Sequence, residues 1–192
     1  MFKERKIRIL IYVMLFFIVV LGLGSYQYYQ EVKEESREFD IFINHFYFSI
    51  DDSLTKINNI LEDKPEKGEL KEALRFLEQD LIRTHTIIQG GRNFLDYDIP
   101  NTYFFYETTY LLSGYTTNGT SYAAPMNQDG KLDEKETQVL ETYRDHLTDA
   151  KEAMYSQETM QENPQLSIDD VNEIISTYLS QSSEDIYRES IR

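Results

Sequence analysis

The sequence predicts an all-α chain: one N-terminal transmembrane helix, then an extracytoplasmic up-down bundle of four main helices and a short C-terminal one. Three observations predict it. An uncharged apolar run fills residues 9–26. Beyond it, apolar side chains recur in steps of three and four, the period of a helix face. The chain has only 8 Gly and 4 Pro in 192 residues, too few turn formers for a many-stranded protein.

The apolar run comes first. At ~1.5 Å per residue, eighteen helical residues span about 27 Å, close to the hydrocarbon thickness of a bilayer. Lys3, Arg5, Lys6 and Arg8 precede it, against Glu4 alone. Basic residues resist translocation, so residues 1–8 are expected to stay cytoplasmic and residues 27–192 to lie outside. Tyr26, Tyr28 and Tyr29 follow the run. Amphipathic rings favour the headgroup layer, so they complete an anchor formed by Lys3, Arg5, Lys6, Arg8, Tyr26, Tyr28 and Tyr29. A cleaved signal peptide is the competing reading. Its apolar core would be shorter, and Gly22-Leu23-Gly24 is a poor cleavage site. An uncleaved signal anchor is the stronger expectation.

The outer part follows in order. Between Glu31 and Glu62 there is no Gly or Pro, and Phe39, Ile43, Phe46, Ile50, Leu54, Ile57 and Leu61 form a bundle stripe. This helix can continue from the membrane segment as a stalk. Residues 63–68 (DKPEKG) read as a turn. Leu70, Leu74, Leu77, Leu81, Thr84 and Ile88 mark a second helix, with Gly90-Gly91 as its stop. A short turn between the two predicts antiparallel packing. Asp98 is placed as the cap of an aromatic third helix ending near Gly114, with Pro100 in its first turn. Residues 115–130 read as a long loop. A fourth helix is expected from Asp133 to Met160, broken by Asn163-Pro164. Ser167 and Asp170 form a capping box opening a fifth helix. The last thirteen residues are its frayed extension or a tail.

Charge and composition exclude several functions. The net charge is −15 and the pI about 4.6, which argues against a nucleic-acid partner. There is no cysteine, so disulfides, thiolate metal sites and cysteine nucleophiles are excluded. His45, His85 and His146 lie on different predicted helices, with no metal-ligand spacing. No nucleophile elbow or glycine-rich phosphate loop is present in the sequence. Asn118-Gly119-Thr120 is a glycosylation triplet, relevant only in a host that modifies exported chains. The aromatic set (Tyr103 to Tyr110 with Phe46, Tyr47, Phe48, Tyr115 and Tyr122) either lines a peptide or sugar groove or, the stronger expectation, fills the core.

Residues 125–136 (PMNQDGKLDEKE) resemble an EF-hand calcium loop. With Gly130 at its sixth position, the resemblance implies Asn127, Asp129, Lys131 by its carbonyl, Asp133 and Glu136 as metal ligands. Pro125 stands where an acidic first ligand belongs. The same letters also read as a turn followed by an Asp133–Glu136 capping box, the stronger expectation.

No catalytic or organic-cofactor residues are assigned, and Ca²⁺ is the one cofactor considered. The functional expectation is a non-enzymatic, membrane-anchored module in protein–protein interaction or sensing at the outer membrane face. Calcium binding through residues 125–136 is the first alternative. A cell-wall-directed hydrolase, which needs paired carboxylates in a cleft, is the second. The layout resembles, in architecture only, single-pass anchored proteins of bacterial cell surfaces and helical sensor domains.

Overall fold

The computed structural model describes residues 2–190 apart from 96, 118, 119, 124 and 127. The side chains of residues 2–11, 13, 115–117 and 120–123 are not described. Among the described residues the elements are, in order, α1 (Phe2–Asp63), α2 (Lys67–Phe94), α3 (Phe104–Ser113), β1 (Tyr115–Thr117), β2 (Thr120–Ala123), α4 (Glu134–Met154), β3 (Tyr155–Ser156), β4 (Gln161–Glu162), α5 (Ile168–Tyr178) and α6 (Ser183–Ser190). The chain divides into two compact units, Met1–Phe39 and Asp40–Arg192.

The first unit is helical, and its described apolar side chains from Tyr12 to Val32 are exposed, while Phe39 at its end is buried. Tyr12, Met14 to Leu21 and Leu23 each keep 46% to 69% of their surface. Among the described residues no helix is long and apolar enough to cross a membrane. Ile9, Leu10, Ile11 and Val13 of the predicted span lie outside the described side chains, as do Lys3, Arg5, Lys6 and Arg8. The described remainder of the run soon reaches Gln27, Gln30 and Glu31. The described residues alone therefore do not make up the predicted transmembrane helix. Tyr26, Tyr28 and Tyr29 are exposed on α1.

The second unit is the predicted helical bundle. The α1 stripe is buried at Ile43, Phe46, Ile50, Leu54 and Ile57, and the α2 stripe at Leu70, Leu74, Leu77, Leu81, Thr84 and Ile88. The two helices are antiparallel. Ser49, Asp52 and Lys56 of α1 meet Thr84, Arg83 and Asp80 of α2, so partner numbers fall as α1 numbers rise. At their crossing the buried hydroxyls of Ser53 and Thr84 donate to the carbonyls of Ser49 and Asp80 on their own helices, so both hydroxyl donors are satisfied. Helix α4 joins through Lys151, paired with Asp51 of α1, and through Tyr143, stacked on Phe104 of α3.

Several boundaries differ from the sequence reading. Helix α2 does not stop at Gly90-Gly91 but runs to Phe94. Gly91 is buried, and a Cβ there would sit 2.6 Å from the Phe42 ring and 3.0 Å from Ile99. Glycine serves close packing here, not chain reversal. The left-handed residues at the α1–α2 turn are Lys64 (φ 47°) and Lys67 (φ 52°), while Gly68 lies inside α2. Asp98 does not cap α3, which begins at Phe104. The Asp98 carbonyl instead accepts from Asn172 of α5 at 2.9 Å, and the Thr102 hydroxyl accepts from the Phe104 N–H at 3.1 Å.

The expected loop at 115–130 contains the antiparallel β1–β2 pair. Helix α4 ends at Met154, not Met160. Tyr155 then pairs with Glu162 and Ser156 with Gln161, around Met160 at φ 58°. The C-terminal stretch forms a helix of its own, α6. At its start Ser182 and Asp185 hydrogen-bond reciprocally, and its Ile186 is fully buried.

Both expected capping boxes are present. The Asp133 carboxylate accepts from the Glu136 N–H at 2.7 Å, and Glu136 Oε2 accepts from the Asp133 N–H at 2.9 Å. Ser167 and Asp170 make the same exchange at 3.2 and 2.8 Å. Asp133→Ala and Ser167→Ala are each expected to cost about 0.5–2 kcal/mol, because each exposes a helix-end donor that water satisfies less well. Urea unfolding of each variant checks this, and an unchanged midpoint contradicts it.

Candidate functional site

The acidic loop was the sharpest signal in the sequence. Gly130 takes φ 81°, the turn conformation that residue type suits, and the Asp129 carboxylate accepts from the Lys131 N–H at 3.2 Å. Asp133 and Glu136 are engaged with each other in the cap. Asn127 lies outside the described residues. Among the described residues no group of three or more His, Cys, Asp or Glu is placed to hold a metal ion. Calcium at this loop would have to draw Asp133 and Glu136 out of the α4 cap. Partial burial raises the Glu136 pKa, helped by the Asp133 and Asp129 charges and opposed by the Asp133 N–H bond.

The aromatic set divides. Phe46, Tyr47, Phe104 and Phe105 are core residues, as the stronger expectation had it. Tyr103, Tyr106 and Phe48 remain exposed, at 55%, 41% and 38%. The side chains of Tyr115 and Tyr122 are not described. Tyr106 packs edge-on against Tyr110. His85 of α2 lies against Tyr103 and Tyr106, with ring centroids 6.4 and 5.4 Å away. Below these rings, Arg92 clamps the approach to α3. It donates to the Ile99 carbonyl at 2.9 Å and to the Asn101 side chain at 2.8 Å.

His85 carries a pH prediction. Burial lowers its pKa below the usual histidine value of 6.5, opposed by a hydrogen bond with the Thr102 backbone, and its Nδ1 is buried without a partner. Because the folded-state value is the lower one, neutral His85 contributes stability above pH 6.5. That contribution is lost as pH falls through the folded-state value. The wild-type melting temperature is expected to drop more between pH 7.5 and 5.5 than that of His85→Phe, which keeps the ring contacts and has no proton to take up. Equal drops would contradict this.

The other histidines are explained locally. His45 is exposed on α1. His146 of α4 packs edge-on to Phe104 and lies 3.1 Å from Glu189 of α6.

A concavity lies at the corner where α1 turns into α2. It is open to solvent and offers about 380 Å³. The last turns of α1 supply Lys56, Ile60 and Asp63, and the first turns of α2 supply Glu69, Ala73 and Phe76. Ile60 is buried and Phe76 is 40% exposed. Phe76 adjoins Leu77 in sequence but points off the buried α2 stripe, so its ring lines the cleft. The Arg75 guanidinium lies 4.6 Å from the centre of that ring. Lys56 is neutralised by Asp80 of α2. Asp63 and Glu69 are exposed carboxylates in the lining.

The sequence marks this corner only as two helices joined by the turn at 63–68. The signal for a site was Phe76, a large apolar residue outside the helical period. Searches among family models, curated proteins and solved structures yield no match to this chain, so its function is argued from its own residues.

Proposed function

We propose that this chain is a membrane-tethered helical module, exposed at the outer membrane face, that acts by binding a protein partner and not by catalysis. The observation that supports the tether is the apolar surface of α1. Residues 14–21 are consecutive, so successive side chains at ~100° intervals cover every side of the helix. All eight are apolar and exposed. A helix apolar on all sides is at home in lipid or in the core of a large assembly, not in water. The flanking charges favour lipid, with four basic residues before the run and none between residue 9 and Gln30.

For the outer unit, the acidic surface and the cleft at the α1–α2 corner support a recognition role. A wall-directed hydrolase would need a general acid kept protonated by desolvation beside a second carboxylate. Asp63 and Glu69 share a cleft, but both are exposed to water.

Two fractionations test the proposal. After alkaline carbonate extraction the chain is expected in the membrane pellet. Protease added to intact cells is expected to remove the residues beyond 27 while sparing the tail. Recovery of the full chain in the carbonate supernatant would overturn the tether, and complete protection would overturn the orientation. Crosslinking in intact cells followed by detergent purification tests the partner. A chain recovered alone under every condition would end the interaction reading.

A further inference from the structure

We propose that the cleft at the α1–α2 corner receives an arginine side chain from a basic segment of the partner protein. Phe76 and Ile60 provide the floor, and Asp63 and Glu69 bind the cationic head. This inference rests on the protein-binding reading above and adds the chemistry of the partner.

Charge complementarity selects the occupant. The lining contains one cation, Lys56, which Asp80 neutralises from outside the cleft. Arg75, over the Phe76 ring, is itself 3.8 Å from the Glu72 carboxylate, which leaves Asp63 and Glu69 as the lining charges that no described cation pairs. An acidic segment would be repelled. A purely apolar one would cover two carboxylates without pairing them, a desolvation cost with no return. A basic side chain pairs with them and lays its methylene stem on Ile60 and Ala73.

The floor narrows the choice to arginine. Phe76 is a large ring left 40% exposed, and it already holds a guanidinium, that of Arg75, at 4.6 Å. A planar guanidinium stacks on aromatic surfaces and meets carboxylates with paired N–H groups, which a lysine ammonium does not do. The chain's net charge of −15 would also draw a basic segment towards this surface before contact.

The test uses the full chain in non-ionic detergent at about 150 mM salt, where diffuse attraction is screened beyond ~8 Å. The probe is the peptide acetyl-(Gly-Arg)₃-amide, titrated calorimetrically. Binding is expected to weaken about tenfold in the Asp63→Asn/Glu69→Gln double variant and about threefold in Phe76→Ala. The control, Glu152→Gln/Glu158→Gln, removes the same charge from exposed positions at the end of α4 and in the β3–β4 turn. It is expected to bind within about twofold of wild type.

Three results would overturn the inference: no binding to the wild-type chain at millimolar peptide, equal weakening in the control, or equal affinity for acetyl-(Gly-Glu)₃-amide. The outcome is separable from the tether. A chain found in the carbonate supernatant that still shows this binding pattern keeps the cleft and loses the membrane. A chain in the pellet that binds no peptide does the reverse.

Discussion

Phe104→Ala is expected to cost about 3–5 kcal/mol, a large share of the ~5–15 kcal/mol that holds a domain of this size together. The reason is where the ring sits. Phe104 is the first residue of α3 and is 1% exposed. It stacks on Tyr143 of α4 at 4.6 Å and 18°, meets Phe105 edge-on at 5.3 Å and lies 5.9 Å from His146. Its backbone is held at both polar groups. The N–H donates to Thr102 Oγ1, and the carbonyl accepts from Thr108 Oγ1 at 2.7 Å. Thr102 donates in turn to the Leu179 carbonyl at the end of α5. With the backbone pinned, the surroundings have little freedom to collapse into the vacated volume, which places the cost at the upper end for a Phe truncation.

A neighbouring variant sharpens the expectation. The Tyr143 hydroxyl is fully buried and makes no hydrogen bond of good geometry. Burial drives its pKa well above 10, and the nearby Thr108 hydroxyl offsets this only in part. Tyr143→Phe removes a polar group that folding strips of water, so it is expected to be neutral or to stabilise by up to about 1 kcal/mol. Urea unfolding followed by circular dichroism reads both. A loss below about 1 kcal/mol for Phe104→Ala would show that this ring is not the junction of α3 and α4. A loss above about 2 kcal/mol for Tyr143→Phe would show that the hydroxyl has a partner.

What could be read in the sequence follows a physical division. The stripes of α1 and α2 could be read because period 3.5–3.6 is set by the helix itself, and Ile43, Phe46, Ile50, Leu74, Leu77 and Leu81 are buried as their spacing requires. The capping boxes could be read because both partners lie within four residues. Features decided by distant residues could not. Gly90-Gly91 carries a stop signal, but the Phe42 ring leaves room only for glycine at position 91, and the helix continues past it. The end of α4 carries no Gly or Pro; Met160 takes a left-handed turn that nothing local announces. The β1–β2 pair did have a local signal, the Asn118-Gly119 dipeptide between Thr- and Tyr-rich flanks. Of the site, Asp63 is legible as a turn residue and Glu69 as the start of the second helix. Their meeting with Phe76 in one cleft depends on α1 folding back along α2.

The double substitution Leu15→Arg/Ile18→Arg is expected to abolish membrane retention, and Ile18→Arg alone to weaken it. Residues 9–26 hold twelve Leu, Ile, Val or Phe. At about −0.3 to −0.6 kcal/mol each they favour insertion by roughly 4–7 kcal/mol, before Gly, Ser and Tyr take some back. One arginine near the helix centre costs about 2.5–3.5 kcal/mol and forfeits one apolar contribution, so the single variant is left near balance. Two arginines move it past balance. Leu15 and Ile18 are 51% and 64% exposed, so neither change opens a packed core. The melting temperature of the bundle is therefore expected to stay within about 2 °C of wild type. That pairing of outcomes separates lipid from protein as the medium around this stretch of α1. If these side chains were the buried seam of a soluble assembly, the double variant would lose its oligomeric state and the wild type would already be found in the carbonate supernatant. If they face lipid, the double variant leaves the pellet as a folded bundle. A double variant that stayed in the pellet would show that the apolar run is not what holds the chain there.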